Sequence, residues 1–154
     1  MSQIASSSHI EPLSYLKDVL ALSAKDLRRV RSTLDLLLLS ESGLSIKALY
    51  QLQKKLGVSN REMSLLVGIS ESTLQRRYRA GKRLSELESQ TVLQLAELWS
   101  RGMEIFESET DLRMWLRSEV PALGGLIPIV LLATPIGRSH VQEVLLRLEW
   151  GIYS

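Results

Sequence analysis

The chain reads as an all-α protein, and three observations predict it. Apolar residues recur three and four positions apart in every long segment. Serine at the head and glycine at the tail punctuate those segments, and no stretch alternates apolar and polar residues at period two. With 154 residues, 45% of them hydrophobic, the chain can bury one core or two small ones. It has no cysteine, which excludes disulfides, thiolate metal sites and a cysteine nucleophile. The N-terminus, MSQIASSSHIEPL, has no basic stretch followed by an apolar one. The longest apolar runs, Leu36–Leu39 and Leu126–Ala133, are too short for a bilayer. A soluble, cytoplasmic protein is the expectation.

Taken in order, residues 1–10 are Ser-rich and aperiodic and read as a mobile tail. Glu11–Leu22 predicts a short helix presenting Leu13, Leu16, Val19 and Leu20. Ser23 then caps a second helix, with Asp26 in its first turn and Leu27, Val30, Leu34, Leu37 and Leu38 along one stripe. Glu41-Ser42-Gly43 breaks it. Ser45 caps the next helix, which carries Ile46, Leu49, Leu52 and Leu56 and stops at Gly57.

Residues 59–83, SNREMSLLVGISESTLQRRYRAGKR, are the most informative. They read as two short helices joined at Gly68, with Ser64 as the small residue between them and Leu74 locking the second onto the first. Ser59 and Glu62 form a capping-box pattern, and Ser70 can accept from the amide of Ser72 or Thr73. This is the pattern of a helix-turn-helix, spanning Ser59–Gly81, whose second helix suits the DNA major groove. Charge agrees. Residues 54–83 hold eight Lys/Arg against two Glu, whereas residues 84–154 hold five against ten. The net charge of +2 therefore hides a basic band followed by an acidic half, and a polyanion would bind the first and be repelled by the second. On this pattern Ser72, Gln75 and Arg76 face base edges, and Arg77, Arg79, Lys82 and Arg83 reach phosphates.

Ser85–Glu88 is a second capping box, opening a long helix through about Phe106 with Val92, Leu95, Ala96, Trp99 and Met103 on one stripe. Ser108–Asp111 starts another, with Leu112, Trp115 and Leu116 on one side. PALGGLIPIVLLATPIG, from Pro121 to Gly137, surrounds a short apolar helix and reads as a segment buried on nearly all sides. The last helix, about Arg138–Trp150, shows Val141, Val144, Leu145 and Leu148 on its core face; Leu146 and Trp150 lie off that stripe.

Catalytic chemistry finds little here. His9 lies in the expected tail and His140 near a helix start. Glu86/Glu88 and Glu107/Glu109/Asp111 sit at helix ends, where capping explains them. No phosphate loop, metal-ligand cluster or nucleophile elbow is present, so no catalytic residue, cofactor or metal is expected. Trp99 and Trp115 read as core, Trp150 equally as core or interface, and Tyr78 as packed on the helix before the helix-turn-helix.

GISESTLQRRYRAGKRLSELES, then Trp115-Leu116, PALGG, Ile127-Pro128, TPIG and RLEWGIY, in that order, resemble the Xre/MbcA/ParS antitoxins over roughly residues 43–154. The resemblance implies a helix-turn-helix followed by a toxin-binding domain, whose usual partner is a RES-domain toxin, an enzyme acting on NAD. The chain then reads as three regions: the tail 1–10, an N-terminal helical region 11–83 that holds the helix-turn-helix, and a C-terminal helical region 84–154 to which the resemblance assigns toxin binding. Two function classes stand. One is a non-enzymatic antitoxin that neutralises its toxin and represses its own operon. The other is a free-standing regulator whose C-terminal half serves oligomerisation or effector sensing. Because one helix-turn-helix reads few base pairs, a homodimer is expected, built on Leu34–Leu39 or on Val92–Met103. For the toxin, the expected face is Leu146 and Trp150 with the tail Gly151, Ile152, Tyr153 and Ser154, which would occupy or cap the NAD site.

Overall fold

The computed structural model describes residues 10–151. Helix α1 spans Ile10–Leu20, α2 Ala24–Arg29, α3 Thr33–Glu41, α4 Ile46–Leu56 and α5 Asn60–Val67; α6 spans Glu71–Ala80, α7 Glu86–Phe106, α8 Glu109–Leu116, α9 Pro128–Leu131 and α10 Pro135–Glu149. A 3₁₀ turn, Pro121–Leu123, lies between α8 and α9. Among the described residues there is no strand, only one antiparallel bridge between Val120 and Leu126, so the fold is all-α as the periodicity predicts. The tail expected at residues 1–10 lies outside the described residues apart from Ile10, as does the side chain of Leu13.

Cap chemistry fixes most helix starts. Ser59 and Ser85 each accept the amide of the residue three positions on, at 3.1 Å, and that residue's carboxylate accepts the cap amide in return. Ser23, Ser70, Ser108 and Thr134 accept from the corresponding amides of Asp26, Thr73, Asp111 and Gly137. Ser45 occupies the cap position of α4 without a side-chain bond.

Two sequence expectations need correction. The single helix expected from Ser23 is two helices. Val30 is extended (φ −91°, ψ 106°), and Ser32 with Asp35 forms a capping box that starts α3. A cap contributes about 1 kcal/mol, and four consecutive leucines carry no phase that would oppose the break. The stripe is therefore re-dealt: Val30 and Leu36 are buried, while Leu34, Leu37 and Leu38 are 64%, 46% and 56% exposed. The Pro121–Gly137 segment is likewise not buried on nearly all sides. Its prolines and glycines divide it into turns that bury Leu123, Ile129 and Leu132 and leave Leu126, Val130 and Ile136 more than half exposed.

Helix α7, 21 residues long, is the spine, packing against α1, α3, α4, α5, α8 and α10. The expected stripe is buried, and so are Ser89, Leu93, Leu98, Ser100 and Gly102, because neighbours clothe the helix on more than one side. The stripe Val92, Leu95, Ala96, Trp99 and Met103 is therefore filled by the chain's own helices, whereas Gln94 is exposed and, with Leu93 and Glu97, borders an open groove beside α3. Trp99 is 2% exposed; Trp115 packs on Phe106 with ring centroids 5.5 Å apart.

Helix α10 starts at Pro135, three residues earlier than periodicity suggests, because Thr134 caps it and Pro135 is favoured at the first helical position. Arg138 is nearly buried and ties α10 down, its Nε donating to Gln94 Oε1 at 2.9 Å and Nη1 to Leu132 O at 3.0 Å. Gly137 lets this start press on the end of α9, since a Cβ there would run into the Leu131 carbonyl. Alanine in a helix is ordinarily favoured over glycine by about 1 kcal/mol. Here Gly137→Ala should instead destabilise by roughly 1–3 kcal/mol, the usual penalty for overpacking. Urea unfolding reads the sign, and a stabilised variant would show that α9 and α10 do not approach this closely.

Candidate functional site

Helices α5 and α6 make a compact corner. Gly68 takes the left-handed conformation (φ 81°, ψ 32°) that the turn requires, and its amide donates to Ser64 O at 2.9 Å. Ser64 is buried at the crossing, and Leu74 is fully buried beneath α6. Tyr78 turns inward, donating its hydroxyl to Gln53 Oε1 and meeting the Tyr50 ring edge-on with centroids 5.7 Å apart. Burial, followed by the neighbouring Tyr50, pushes its phenol up to about 12.

The outer surface of α6 carries the residues expected to read DNA. Ser72 and Arg76 are exposed and Gln75 is half-buried; Arg79, Lys82 and Arg83 are exposed. Among the described residues, Arg76, Arg79 and Lys82 form no hydrogen bond or ion pair within the chain. Arg77 has a partner: its Nη1 meets the Glu88 carboxylate at 2.5 Å. Burial opposes the charge on Glu88, but the bonds from Arg77 and Ser85 outweigh it and hold the carboxyl below its ordinary range. Glu88 thus caps α7 and orients α6 on it. Arg83 Nη1 donates to Gly43 O at 2.8 Å, beside a strap in which Leu84 N meets Leu44 O and Leu44 N meets Ser89 Oγ, both at 2.9 Å.

Behind the corner, α8 is clamped to the end of α4. Arg113 Nε donates to Lys55 O at 2.7 Å and Arg117 Nη2 to Gly57 O at 3.1 Å, supplying cations to the unsatisfied carbonyls and negative dipole end of a helix C-terminus. Arg117 also bonds the Glu62 carboxylate at 3.0 and 3.2 Å. Glu109 takes Arg113 at 2.8 Å and Lys55 at 2.7 Å. The bonds from Arg117 and from Lys55 hold the carboxyls of Glu62 and Glu109, respectively, below their usual range.

At the far end, α10 closes with Trp150 at 76% exposure, its amide donating to Leu146 O at 3.1 Å. Leu146 is half-buried and Gly151 exposed; Ile152, Tyr153 and Ser154 lie outside the described residues. Arg101 pairs with Glu149 at 3.1 Å, fixing the end of α10 beside α7. Periodicity did not reveal that Met114, Leu126, Val130 and Ile136 also face outward in this half, at 55–73% exposure. The proline and glycine spacing was the available signal. A shallow apolar groove of about 180 Å³ runs between Leu65 of α5 and Val130 and Ala133.

Among the described residues no group of three or more His, Asp or Glu is placed to hold a metal ion, and no helix is long and apolar enough to cross a membrane. His140 lies exposed on α10.

A helix-turn-helix with an exposed cationic second helix, joined by one shared spine to a compact helical region, defines a helix-turn-helix protein with an appended helical domain. Residues 35–97 match the antitoxin Xre-like helix-turn-helix domain, and residues 101–151 match the antitoxin Xre/MbcA/ParS C-terminal toxin-binding domain. The chain is also similar to the Prs ADP-ribosylating antitoxin of Sphingobium sp. (strain YBL2), 29% identical over 123 residues that cover 74% of this chain and 77% of the relative. Residues 35–97 and 101–151 thus carry the two domains of an Xre/MbcA/ParS-type antitoxin.

The clamp has a pH signature. A carboxyl depressed in the folded state stabilises fully above its unfolded value, near 4.5, and loses that contribution as pH falls through the folded value. The thermal midpoint should therefore fall as pH drops below about 4.5. Glu62→Gln and Glu109→Gln should lower the neutral-pH midpoint and flatten that dependence. An unchanged acid limb in the double variant would remove the clamp from the account.

Proposed function

We propose that the protein neutralises a RES-type, NAD-acting toxin through its C-terminal domain, without chemistry of its own, and represses its operon as a homodimer through α6. One observation carries the toxin half: Trp150, 76% exposed, ends a helix anchored on both sides by Arg138 and the Arg101–Glu149 pair. Aromatic anchors on preorganised elements dominate binding energies. Leu146, Trp150 and the tail Gly151–Ser154 then form the toxin-facing surface, which occupies or caps the toxin's nucleotide cleft. A relative named for ADP-ribosylation supports an NAD-consuming partner, since NAD is the usual donor in that transfer. Trp150→Ala and deletion of Gly151–Ser154, each at equal antitoxin level, should lose protection from co-expressed toxin; full protection by both would overturn this surface.

On the DNA side, Ser72, Gln75 and Arg76 read base edges. Arg79, Lys82 and Arg83 hold phosphates, and Arg77, tied to Glu88, sets the angle of α6 and borders the backbone. Arg76→Ala should cost about 1–3 kcal/mol on the operator and relax specificity, as loss of a bidentate base contact does. Lys82→Ala should weaken all sequences alike and lower the salt slope by about one. Titration of both variants against operator and scrambled DNA at fixed salt checks this, and unchanged operator affinity for Arg76→Ala would refute the groove assignment.

A further inference from the structure

We propose that α4 carries a second row of contacts to the DNA backbone, in which Lys47, the Tyr50 hydroxyl and Lys54 each meet a phosphate beside the groove that α6 enters. This rests on the reading of α6 as the groove-facing helix and adds a surface that lies outside it. Positions 47, 50 and 54 are three and four residues apart, so they share one face of α4, and all three are exposed. Helix α4 contains no Asp or Glu. Of its three lysines, only Lys55 has a carboxylate partner among the described residues, being bonded to Asp18 and Glu109. The macrodipole accounts for Lys54, in the last turn. It does not account for Lys47, which sits in the first turn, where a cation is disfavoured. Helix stability therefore gives no reason for Lys47.

The contacts of Tyr50 place this row at the groove. Its ring meets that of Tyr78 edge-on, with centroids 5.7 Å apart, and Lys54 Nζ stands 5.4 Å from its centre. Tyr78 and Arg77 lie to either side of the buried Leu74, and Arg77 is held against α7 by Glu88. The Tyr78 side is the one that continues to Gln75, a turn earlier, and to Arg79, so α4 borders the side chains read as facing DNA. At one end of the row, Lys47 lines a cavity of about 420 Å³ together with Gly81 and Arg83, just past α6. At the other, Gln53 Nε2 donates to Asn60 Oδ1 at 2.8 Å, which brings the first turn of α5, with the exposed Arg61, alongside. The Tyr50 hydroxyl forms no hydrogen bond among the described residues, yet its ring is seated on Tyr78, whose own hydroxyl is bonded to Gln53. A fixed phenol flanked by two cations, with no carboxylate on the same helix, is matched to phosphate oxygens, which tyrosine and lysine commonly contact.

Titration of the full-length chain against duplex DNA from upstream of its own gene, and against a scrambled duplex, tests this. Lys47→Ala and Lys54→Ala should each lower the slope of log affinity against log salt by about one per bound chain. Tyr50→Phe keeps the ring and loses the hydroxyl. It should weaken binding to both duplexes on the order of tenfold, as loss of a hydrogen bond to a charged group does, with an unchanged thermal midpoint. Preference for the upstream duplex should stay constant in all three variants, because phosphate contacts carry no sequence information, whereas Arg76→Ala should change it. Lys47→Ala should not lower the thermal midpoint, since it removes a cation from the positive end of a helix. Wild-type slopes in both lysine variants and wild-type affinity in Tyr50→Phe, with a lowered slope in Lys82→Ala, would overturn the α4 row and leave the reading of α6 standing. Loss of protection from co-expressed toxin by Lys54→Ala, with DNA binding intact, would overturn it in favour of the toxin. A wild-type chain that binds neither duplex at low salt would sink the reading of α6 itself.

Discussion

A helix buried on most of its circumference survives only if neighbours cover each face and its polar side chains find partners. Helix α7 meets both conditions. Six helices pack on it, and its buried serines both find partners: Ser100 bonds the Ala96 carbonyl, and Ser89 accepts the amide of Leu44, in the loop before α4. That second bond is where the spine does more than fill space. Leu44 N would otherwise be a buried orphan donor, at a cost of about 1–3 kcal/mol. Satisfying it from α7 fixes the loop that also receives Leu84 N and Arg83. The position of α6 therefore depends on α7 through Ser89, which holds the strap that Leu84 and Arg83 bond, and through Glu88 beside it, which holds Arg77.

The helix-turn-helix match ends at residue 97 and the toxin-binding match begins at residue 101, both inside α7. The two matched segments thus share one continuous element, with no linker between them. The α8 clamp adds a second connection, since Arg113 and Arg117 reach backward to the end of α4 and to Glu62. The spine and the clamp thus join the two matched segments by packing and by hydrogen bonds, without a flexible tether between them.

The sequence is legible here wherever chemistry has a fixed offset. Ser59 with Glu62, Ser85 with Glu88 and Gly68 at the corner each impose geometry within three or four residues, so their pattern survives folding unchanged. Legibility fails where only hydrophobicity is available. Leu36–Leu39 occupies every direction around a helix, so the phase of α3 is decided by the Ser32 cap and by what α7 offers, and the outward leucines could not be told from the inward one. Between Pro121 and Gly137 apolar content suggests burial, but proline and glycine decide the path, and turns expose alternate side chains. Of the residues read as DNA-facing, exposure could be inferred for Arg76 and Arg79. The Glu88 partner of Arg77 lies eleven positions away and becomes visible only once α6 crosses α7.

That last point changes the meaning of the basic band. Eight cations between residues 54 and 83 look like one polyanion-binding surface. In the fold they divide. Lys55 is held by Asp18 and Glu109, Arg77 by Glu88, Lys54 lies 5.4 Å from the centre of the Tyr50 ring, and Arg83 has one donor on Gly43 O. Arg61, Arg76, Arg79 and Lys82 are left exposed and without such partners among the described residues. The choice of arginine for the internal roles follows from its shape: Arg117 serves the Gly57 carbonyl and the Glu62 carboxylate at once through a planar fork, which an ammonium cannot reproduce in fixed geometry. Lys55 and Arg77 are spent within the fold, and the exposed cations, Arg83 with its remaining donors among them, are left facing outward.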